Sequence, residues 1–378
     1  MSKKFADLKV AIVTDWLTNR GGGERVFLLF AEMFPQADIY TSVFRASTFP
    51  ELSGRKVYVS HLQKSPLRNK HQLFAWARPA VFEAFDLDDY DLVISSSGAE
   101  AKGILTKPET PHVSYCHTPT RYYWSHYHDY LKEKQLGLLD PLVKMVMPFL
   151  VHRLRMWDRV AADRVDFFIA NSRHTQKRIA KYYEADSVVI YPPVDYQRFN
   201  VKTSPEDFYL VVGRQVPYKR TDLVVEAFNQ LSRPLKIIGT GPEIGRLKGL
   251  AKFRNIEFLG ELTDEKVAQY FASCKALVFP QEEDFGIVPL EAMAAGKPVI
   301  AYGKGGALET VIDKKTGLLF KEQTVDCLID AVKRFEKLAI SPSACRAQAR
   351  RFDQSVFRRR IKQFIEKAIN KYHQTIKV

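Results

Sequence analysis

Cysteine is scarce in this sequence, and its placement excludes the usual cysteine-based scaffolds. The four cysteines form no CxxC pair and no dense framework; they are Cys116, Cys274, Cys327 and Cys345. Disulfide-rich domains and structural zinc sites need such clusters, so neither is expected. A reducing cytosol is the simplest setting for such a chain.

Long apolar runs are also missing. No segment approaches the roughly 20 consecutive apolar residues that a membrane-spanning helix needs. The first residues, MSKKFADLKVAIV, place charges at both ends of a short apolar patch, unlike the apolar core of a signal peptide. We therefore expect a soluble or peripherally bound protein.

Negative charge is in deficit. Lys and Arg number 57 against 43 Asp and Glu, which gives a net charge of +14. The field of such a molecule attracts anions, so nucleic acid, an anionic membrane surface and phosphorylated substrates all stay open. Apolar residues make up 46% of the chain, which excludes extensive disorder, and 378 residues predict about two to three domains.

Short β-branched runs alternate with amphipathic helical patterns almost throughout. Nearly continuous apolar character indicates strands buried on both faces, as in parallel βαβ units. The predicted strands are KVAIVTD, DLVISS, PHVSYC, DFFIANS, SVVIYPP, FYLVVGR, PLKIIGT, NIEFLGE, KALVFP and KPVIAYG. A helix in TDEKVAQYFASC is predicted to open on a Thr263 cap.

The strand-loop-helix series starts twice, at KVAIVTDWLTNRGGGERVFLLF and at FYLVVGRQVPYKRTDLVVEAF. The stretch between them is rich in proline and polar residues, as an interdomain linker tends to be. The sequence predicts an α/β protein with two doubly wound, Rossmann-like domains and a boundary near residues 192–206. Ligands of such sheets bind beyond the carboxyl ends of the strands, here in a cleft between the domains.

Two segments depart from this rhythm, KSPLRNKHQLFAWARPAVF and DPLVKMVMPFLVHRLRMWDRV. Both mix bulky apolar residues with Lys, Arg and His. Core helices with solvated basic flanks explain them as well as a membrane-surface patch, in which Leu and Trp enter lipid and basic residues meet its head groups.

Two loops are suited to anions. NRGGGERV places three glycines between a strand and a helix start, where backbone N–H groups can approach a ligand, but on its own the motif favours a simple tight turn. In VVGRQVPYKR, Arg214 and Lys219 follow a strand and together suit a diphosphate, with a solvated basic loop as the alternative.

A third loop is acidic. In KALVFPQEEDFGIVPLEAMAAG a strand, a loop and a helix follow one another, and Gly296 is predicted to end the helix. Glu283 lies in the loop and Glu291 follows it in the helix. Backbone N–H groups around Phe285, Gly286 and Ile287 would add donors to these acceptors, a combination that a sugar requires.

The fourth loop, AYGKGGALETVI, is glycine-rich and predicted to pack beside the acidic one. Glu282 and Asp284 are interpreted as solvated loop residues. The acidic run DLDDYD before a strand is interpreted as a solvated turn rather than a metal site.

The ordered motifs resemble the retaining glycosyltransferases of family 4, which have the GT-B fold. The resemblance rests on Glu283-x7-Glu291, on GRQVPYKR before it and on GGALETV and TGLLF after it. It extends to RGGGERV, YCHTPTRYYW, ANSRHTQKRI and VVIYPPVD, and so covers almost the whole chain. It implies an acceptor-binding domain over 1–195, rejoined by a helix over about 355–378, and a nucleotide-sugar-binding domain over 206–354.

The resemblance also implies roles for individual residues. Glu283 would bind hydroxyls of the donor sugar and Glu291 those of the ribose, while Arg214 and Lys219 would bind the diphosphate. The other implied donor-site residues are Gly21 and Gly22 near the reacting phosphate, His117 near the reacting carbon, and Leu262 and Asp264 at the nucleobase. His126 and His128 are weaker candidates for a contact with the donor sugar, and surface or acceptor-loop roles suit them better.

Mannosyltransferases of O-antigen and exopolysaccharide assembly are especially similar in YCHTPTRYYW and in the acidic loop. The resemblance therefore implies transfer of mannose from GDP-mannose, without a metal or other cofactor, to a glycan on a polyprenyl diphosphate. It places the protein in the cytoplasm, peripherally on the inner face of the membrane.

Alternatives stay open at this point. UDP-linked glucose, galactose or N-acetylglucosamine is a credible donor, because a few pocket side chains can switch the choice. A basic nucleic-acid-binding protein is a remote alternative, since no nucleic-acid motif is present, and a non-catalytic sugar-nucleotide sensor is another.

Overall fold

The computed structural model describes residues 7–66, 74, 76–125, 127, 140–202 and 206–376, which fall into two compact units. Unit 1 comprises Met1–Ile190 and Arg358–Val378, and unit 2 comprises Tyr191–Phe357. The sequence-based boundaries were 1–195 with 355–378, and 206–354.

Unit 1 is built on a parallel sheet in which the described residues supply seven strands. Their order is β3-β2-β1-β4-β5-β6-β7, so the chain winds outward in both directions from β1 and β4. The strands are β1 Val10–Thr14, β2 Asp38–Thr41, β3 Val57–Val59, β4 Leu92–Ser97, β5 His112–Cys116, β6 Phe167–Ala170 and β7 Ser187–Val189.

The described helices of unit 1 are α1 Gly22–Met33, α2 Arg78–Glu83, α3 Asp140–Ala162, α4 Arg173–Tyr183 and, from Arg358 onward, α12 Gln354–Ile376. Ser172 is the N-cap residue of α4, and its hydroxyl accepts from the Thr175 N–H at 2.9 Å. α12 is fastened to unit 1 because its Tyr372 hydroxyl donates to the Pro108 carbonyl at 2.8 Å and Arg358 pairs with Glu32.

Unit 2 has a second parallel sheet with the order β10-β9-β8-β11-β12-β13. Its described strands are β8 Tyr209–Val212, β9 Leu235–Ile238, β10 Ile256–Gly260, β11 Ala276–Phe279, β12 Val299–Tyr302 and β13 Gly317–Phe320. β8 and β11 are adjacent in the middle, and the chain reverses its winding direction between them.

The described helices of unit 2 are α5 Thr221–Leu231, α6 Ile244–Leu250, α7 Asp264–Ser273, α8 Val288–Ala294, α9 Ala307–Thr310, α10 Val325–Phe335 and α11 Pro342–Arg350. The predicted Thr263 cap is confirmed, since its hydroxyl accepts from the Lys266 N–H at 3.5 Å. Gly296 follows α8 with φ +77°, the left-handed conformation that ends a helix.

All ten predicted strands are present, and three short ones were missed. The missed strands are β2, β3 and β13, which have four, three and four residues. β6, β7 and β8 are equally short and were predicted, so the omission reflects the ambiguity of short apolar runs, which only pairing with a neighbouring strand resolves.

Candidate functional site

The middle of the unit 2 sheet brings two predicted motifs together. Loops that follow β8 and β11 leave the sheet at adjacent carboxyl ends, where the winding direction reverses. Open α/β sheets bind ligands at this switch point because the two loops diverge and leave a crevice. Arg214 and Lys219 follow β8, and Glu283 follows β11.

The loop after β8 is pressed against the loop after β9. Gly239 has φ +116°, and a Cβ placed on it would lie 2.0 Å from the Gly213 carbonyl oxygen. The Gln215 side-chain amide donates to the same carbonyl at 2.7 Å. Glycine is therefore required at position 239. These contacts fix the start of the loop that carries Arg214 and Lys219. Arg214 itself is exposed.

Lys219 and Glu283 form an ion pair. Their side chains are 17% and 14% exposed, so the pair is largely but not fully shielded from water. Lys219 ends a 3-10 turn over Pro217–Lys219, and its ammonium lies 5.3 Å from the centre of the Tyr218 ring. The predicted phosphate-binding cation and the predicted hydroxyl-binding carboxylate thus meet at one place.

The acidic run differs from expectation at one residue. Glu282 is exposed, as predicted, but Asp284 is only 5% exposed, so its interpretation as a solvated loop residue was wrong. The cause is the glycine-rich loop after β12, which covers this segment. The Gly306 N–H donates to the Glu283 carbonyl at 2.8 Å, and a Cβ on Gly306 would lie 2.2 Å from the Phe285 carbonyl oxygen. This confirms the predicted packing of the fourth loop beside the third.

The residues after Asp284 position the start of α8. The Phe285 side chain is buried and stacks on Tyr191, with 5.5 Å between ring centroids, so it belongs to the core. Gly286 has φ +82°, and a Cβ there would lie 2.9 Å from the Phe279 ring. Ile287 is the N-cap residue of α8. Donor binding at these three positions stays a prediction.

Glu291 lies in the first turn of α8 and is 7% exposed. A buried glutamate is uncommon, since the charged form loses hydration unless other groups compensate. Its neighbours Leu290 and Ala292 are fully buried in the core of unit 2. Its proposed contact with a ribose stays a prediction.

The two predicted nucleobase contacts have other partners here. Leu262 is half-buried and packs against the core. Asp264 begins α7, and one carboxylate oxygen accepts from the Arg198 guanidinium at 2.9 Å. Leu262 and Arg198 also line a cavity of about 970 Å³ that Arg214, Lys219, Glu283 and Glu291 do not line.

In unit 1, the glycine-rich loop after β1 meets the histidine that follows β5. Gly21 is the N-cap residue of α1, and Gly22 begins the helix. A Cβ placed on Gly23 would lie 3.5 Å from Nε2 of His117, in ordinary van der Waals contact, so this third glycine, which sequence analysis did not select, lies beside the imidazole. The Ser96 hydroxyl lies 2.9 Å from the same nitrogen.

The backbone of His117 is held from two sides. Its N–H donates to the Ser97 carbonyl at 2.8 Å, and its carbonyl accepts from the Asn171 side chain at 2.8 Å. Asn171 belongs to the ANSRHTQKRI motif, so that motif fixes the position of the histidine. His126 and His128 lie outside the described residues.

Asp15 was not selected by sequence analysis, yet it joins the loops after β1 and β4. Its carboxylate accepts from the N–H groups of Gly98 and Ala101, each at 2.8 Å, and from the Ser97 hydroxyl at 3.1 Å. Burial, with the negative charge of Glu100 beside it, raises the pKa of Asp15. The carboxylate therefore shapes the loop beside His117.

Glu24 was also missed. A Cβ on Gly21 would lie 2.9 Å from Oε2 of Glu24, so the carboxylate folds back over the start of α1. A glutamate at the third helical position commonly caps the helix in this way, and the spacing in GGGE was the available signal. Burial raises the pKa of Glu24 to about 7.

The YCHTPTRYYW motif is attached to a buried ion pair between Lys102 and Asp158. The Asp158 carboxylate accepts from the Thr120 hydroxyl and the Trp124 indole, each at 2.8 Å. The Tyr183 hydroxyl donates to it at 2.8 Å as well. Since all these groups are hydrogen-bonded, the buried charges are compensated, and the chain beyond His117 is tied to α3.

A second buried ion pair joins Arg78 and Glu100 at 2.8 Å. The Tyr122 and Tyr123 hydroxyls donate to the Glu100 carboxylate at 2.5 and 2.7 Å. Two aromatic residues of the motif thus support the loop after β4. Thr120 and Trp124 thus support Asp158, and Tyr122 and Tyr123 support Glu100.

No group of three or more His, Cys, Asp or Glu side chains in the described ranges could hold a metal ion. No helix in the described part of the chain is both long enough and apolar enough to cross a membrane.

Two family models match the chain in succession. Residues 20–198 match Glycosyltransferase Family 4, and residues 195–352 match Glycosyl transferases group 1. A GDP-mannose-dependent alpha-(1-6)-phosphatidylinositol monomannoside mannosyltransferase of Mycobacterium tuberculosis is 31% identical over 46% of this chain and 53% of its own. An alpha-1,3/1,6-mannosyltransferase of Dictyostelium discoideum is 26% identical over 54% and 57%. The chain spans about half the length of these curated relatives.

Solved structures of low sequence identity share the fold. Sucrose-phosphate synthase from Thermosynechococcus elongatus superposes with a TM-score of 0.69 at 17% identity, covering 96% of this chain and 100% of its own. Anabaena HepE in complex with UDP has a TM-score of 0.68 at 20% identity, covering 95% and 100%. With its two parallel-sheet units and both family models in order, the chain belongs to the family 4 glycosyltransferases and has the GT-B fold.

Proposed function

We propose that this protein is a retaining hexosyltransferase that moves mannose from GDP-mannose to a lipid-linked glycan. The observation that carries the proposal is the Lys219–Glu283 pair at the switch point of unit 2. A cation suited to phosphate and a carboxylate suited to sugar hydroxyls meet there, as a hexose joined to a diphosphate requires.

In the proposed mechanism, unit 2 binds the donor. Lys219 and the exposed Arg214 stabilise the negative charge that grows on the leaving diphosphate. Glu283 accepts hydrogen bonds from hydroxyls of the transferred sugar and so fixes the reacting carbon. The acceptor hydroxyl attacks from the face that the diphosphate leaves, which retains the configuration, and the leaving phosphate accepts the acceptor proton.

The cationic residues also support metal-independent transfer. Arg214 and Lys219 supply positive charge to the diphosphate without a bound ion. The proposal therefore expects full activity after dialysis against a chelator.

Two observations bear on the donor. Mannosyltransferases are among the relatives with about 30% identity, and one of them is described as GDP-mannose-dependent. Against this, HepE, which shares the fold, has been solved with UDP-glucose bound. GDP-mannose is the proposed donor, and UDP-linked glucose, galactose or N-acetylglucosamine is the alternative.

The proposed acceptor is a glycan on a polyprenyl diphosphate, within the synthesis of a cell-surface polysaccharide such as O-antigen. The net charge of +14 favours such an anionic partner. We accordingly propose a cytoplasmic protein that works peripherally on the inner face of the membrane.

A donor panel tests the proposal. GDP-mannose and UDP-sugars would be compared by thermal shift and by release of nucleoside diphosphate. GDP-mannose is expected to stabilise the protein most, and preference for a UDP-sugar would replace the mannose assignment while leaving the transferase assignment intact. Absence of any nucleotide-sugar effect would contradict both.

Variants separate the enzyme from a non-catalytic sensor or a nucleic-acid-binding protein. Glu283→Ala and Arg214→Ala are expected to lose release of nucleoside diphosphate while staying folded. Glu282→Ala is the matched control, because Glu282 is the exposed neighbour of Glu283. Turnover that survives in both site variants would contradict the assigned roles.

A further inference from the structure

The outward face of α3 is apolar, the reverse of the usual arrangement for a surface helix. Met145, Phe149, Met156 and Val160 are 63%, 76%, 52% and 55% exposed. Their spacing of 4, 7 and 4 residues puts them in one stripe along the helix. Monomeric soluble proteins rarely leave so many large apolar side chains together in water.

The opposite face of α3 is buried and packs within unit 1. Val151, Leu154, Ala161 and Ala162 are buried, and Asp158 forms the buried pair with Lys102. Two residues of this helix that the membrane-patch alternative would place in lipid face inward instead, since Leu154 is buried and the Trp157 indole donates to Glu83 at 2.8 Å. The apolar side chains of the outward stripe are therefore not used to pack α3 against the rest of unit 1.

Exposed acids are missing beside the stripe from Met145 to Trp157, whereas past Val160 the exposed Asp163 pairs with Arg159. His152 and Arg153 are exposed beside the stripe. No Asp or Glu occurs between Met145 and Trp157 in the sequence, and the next acid, Asp158, is buried. An apolar stripe with the Arg153 cation beside it complements a bilayer whose head groups are anionic.

A second copy of the chain fits this face less well. The stripe is about 22 Å long and one helix, about 10 Å, wide, which gives on the order of 200 Å². Stable interfaces bury about 800 Å² on each partner. Two-fold pairing of the stripe would also bring Arg153 of one copy close to that of the other. Docking on a lipid surface needs no such buried area and brings no second Arg153 close.

We propose that the outward face of α3 docks this protein on an anionic lipid bilayer. Phe149, Met145 and Met156 enter the boundary between head groups and acyl chains, and Arg153 contacts the head groups. The inference rests on the proposed function, because a lipid-linked acceptor is reached only at a membrane surface, and it assigns the contact to one face of one helix.

Vesicle flotation of the full chain tests the docking face. Vesicles of phosphatidylcholine alone would be compared with vesicles that contain about one third phosphatidylglycerol. The unaltered chain is expected to float with the anionic vesicles. Replacing Phe149 and Met156 together by Ser is expected to weaken vesicle binding about tenfold or more, because apolar contact area is lost. Arg153→Glu is expected to weaken binding to anionic vesicles only.

Phe253→Ser is the matched control. Phe253 is 59% exposed but lies in unit 2, so its loss is expected to leave vesicle binding unchanged. Failure of the unaltered chain to float, or equal flotation of the Phe149 and Met156 double variant, would overturn the proposal. So would a dimer that the double variant dissociates without any effect on flotation.

Thermal shift with GDP-mannose, measured without vesicles, separates this inference from the proposed function. If the unaltered chain does not float with vesicles but GDP-mannose still raises its melting temperature, only the docking face of α3 is overturned. Flotation that depends on α3, with no shift from any nucleotide sugar, would overturn the proposed function and leave the docking face supported.

Discussion

The Lys102–Asp158 pair of unit 1 is sealed inside the protein, whereas the Lys219–Glu283 pair of unit 2 joins two loops and keeps some contact with water. Asp158 accepts additional hydrogen bonds from Thr120, Trp124 and Tyr183. Exposure of the two side chains is 3% and 0% in the first pair, against 17% and 14% in the second.

This difference separates scaffold from site. A fully buried pair whose remaining lone pairs are satisfied cannot exchange partners without exposing a charge to a low-dielectric interior. A partly exposed pair at a strand-end crevice can exchange its partner for a phosphate or a hydroxyl, because water and ligand reach both groups. The first pair is therefore expected to determine stability and the second to determine donor turnover.

The largest expected effect comes from breaking the sealed pair. Asp158→Ala leaves the Lys102 ammonium buried without its counter-charge and is expected to destabilise the protein by about 3–5 kcal/mol. Chemical denaturation followed by circular dichroism measures this loss. Asp163→Ala breaks only the exposed pair with Arg159 and is expected to cost less than about 1 kcal/mol. Equal losses in both variants would contradict the scaffold role.

Breaking the loop pair is expected to act on turnover instead. Lys219→Met removes a charge from the leaving diphosphate, so kcat is expected to fall about 10²–10³-fold. The unfolding midpoint is expected to move little, because the pair is partly exposed. Steady-state release of nucleoside diphosphate and a thermal melt on the same sample test both statements. A folded variant with unchanged kcat would contradict the assignment of Lys219 to the leaving diphosphate.

The packing of the glycine-rich loop gives a smaller effect. Gly306→Ala places a Cβ 2.2 Å from the Phe285 carbonyl oxygen, so the loop over Asp284 must shift, at a cost of about 1–3 kcal/mol. Gly245→Ala is the control, because open space surrounds that helical glycine and alanine is expected to stabilise by about 0.5–1 kcal/mol. Opposite signs in urea denaturation are the expected outcome.

The last effect is a pH dependence from unit 1. The pKa of Glu24 is raised from 4.5 to about 7, so the folded state keeps a proton that the unfolded chain loses between these values. The free energy of unfolding contributed by Glu24 therefore falls as pH rises through this window.

Glu24→Gln removes that contribution and keeps a capping oxygen. The variant is expected to be more stable at pH 8 by about 1–3 kcal/mol and unchanged at pH 4. Urea denaturation at several pH values measures the difference. Glu226→Gln, an exposed position on α5, is the control, and a Glu24→Gln profile parallel to that of the unaltered chain would refute the titration.

Much of the scaffold could be predicted from local sequence. Buried parallel strands are apolar over their whole length, so ten of them were identified, and Thr263 and Gly296 marked helix ends because caps depend on neighbouring residues only. The site was predicted in part. Lys219 and Glu283 were selected separately, and their loops meet because β8 and β11 are adjacent in the sheet.

The errors and omissions have one physical origin. Asp284 was interpreted as solvated because no local pattern indicates that the loop around Gly306 covers it. Asp15 and Gly23 were overlooked because their partners, the loop after β4 and His117, are distant in sequence. Such contacts depend on strand order rather than on spacing.

The sequence by itself determined which segments form buried strands, where the glycines and caps end each element, and which loops carry phosphate-binding and hydroxyl-binding side chains. Periodicity and propensity are local, so one chain is enough to specify them. Only the tertiary structure decided that Asp158 anchors Thr120 and Trp124, and that the apolar stripe of α3 faces outward. Burial depends on what a residue packs against, and that partner lies elsewhere in the chain.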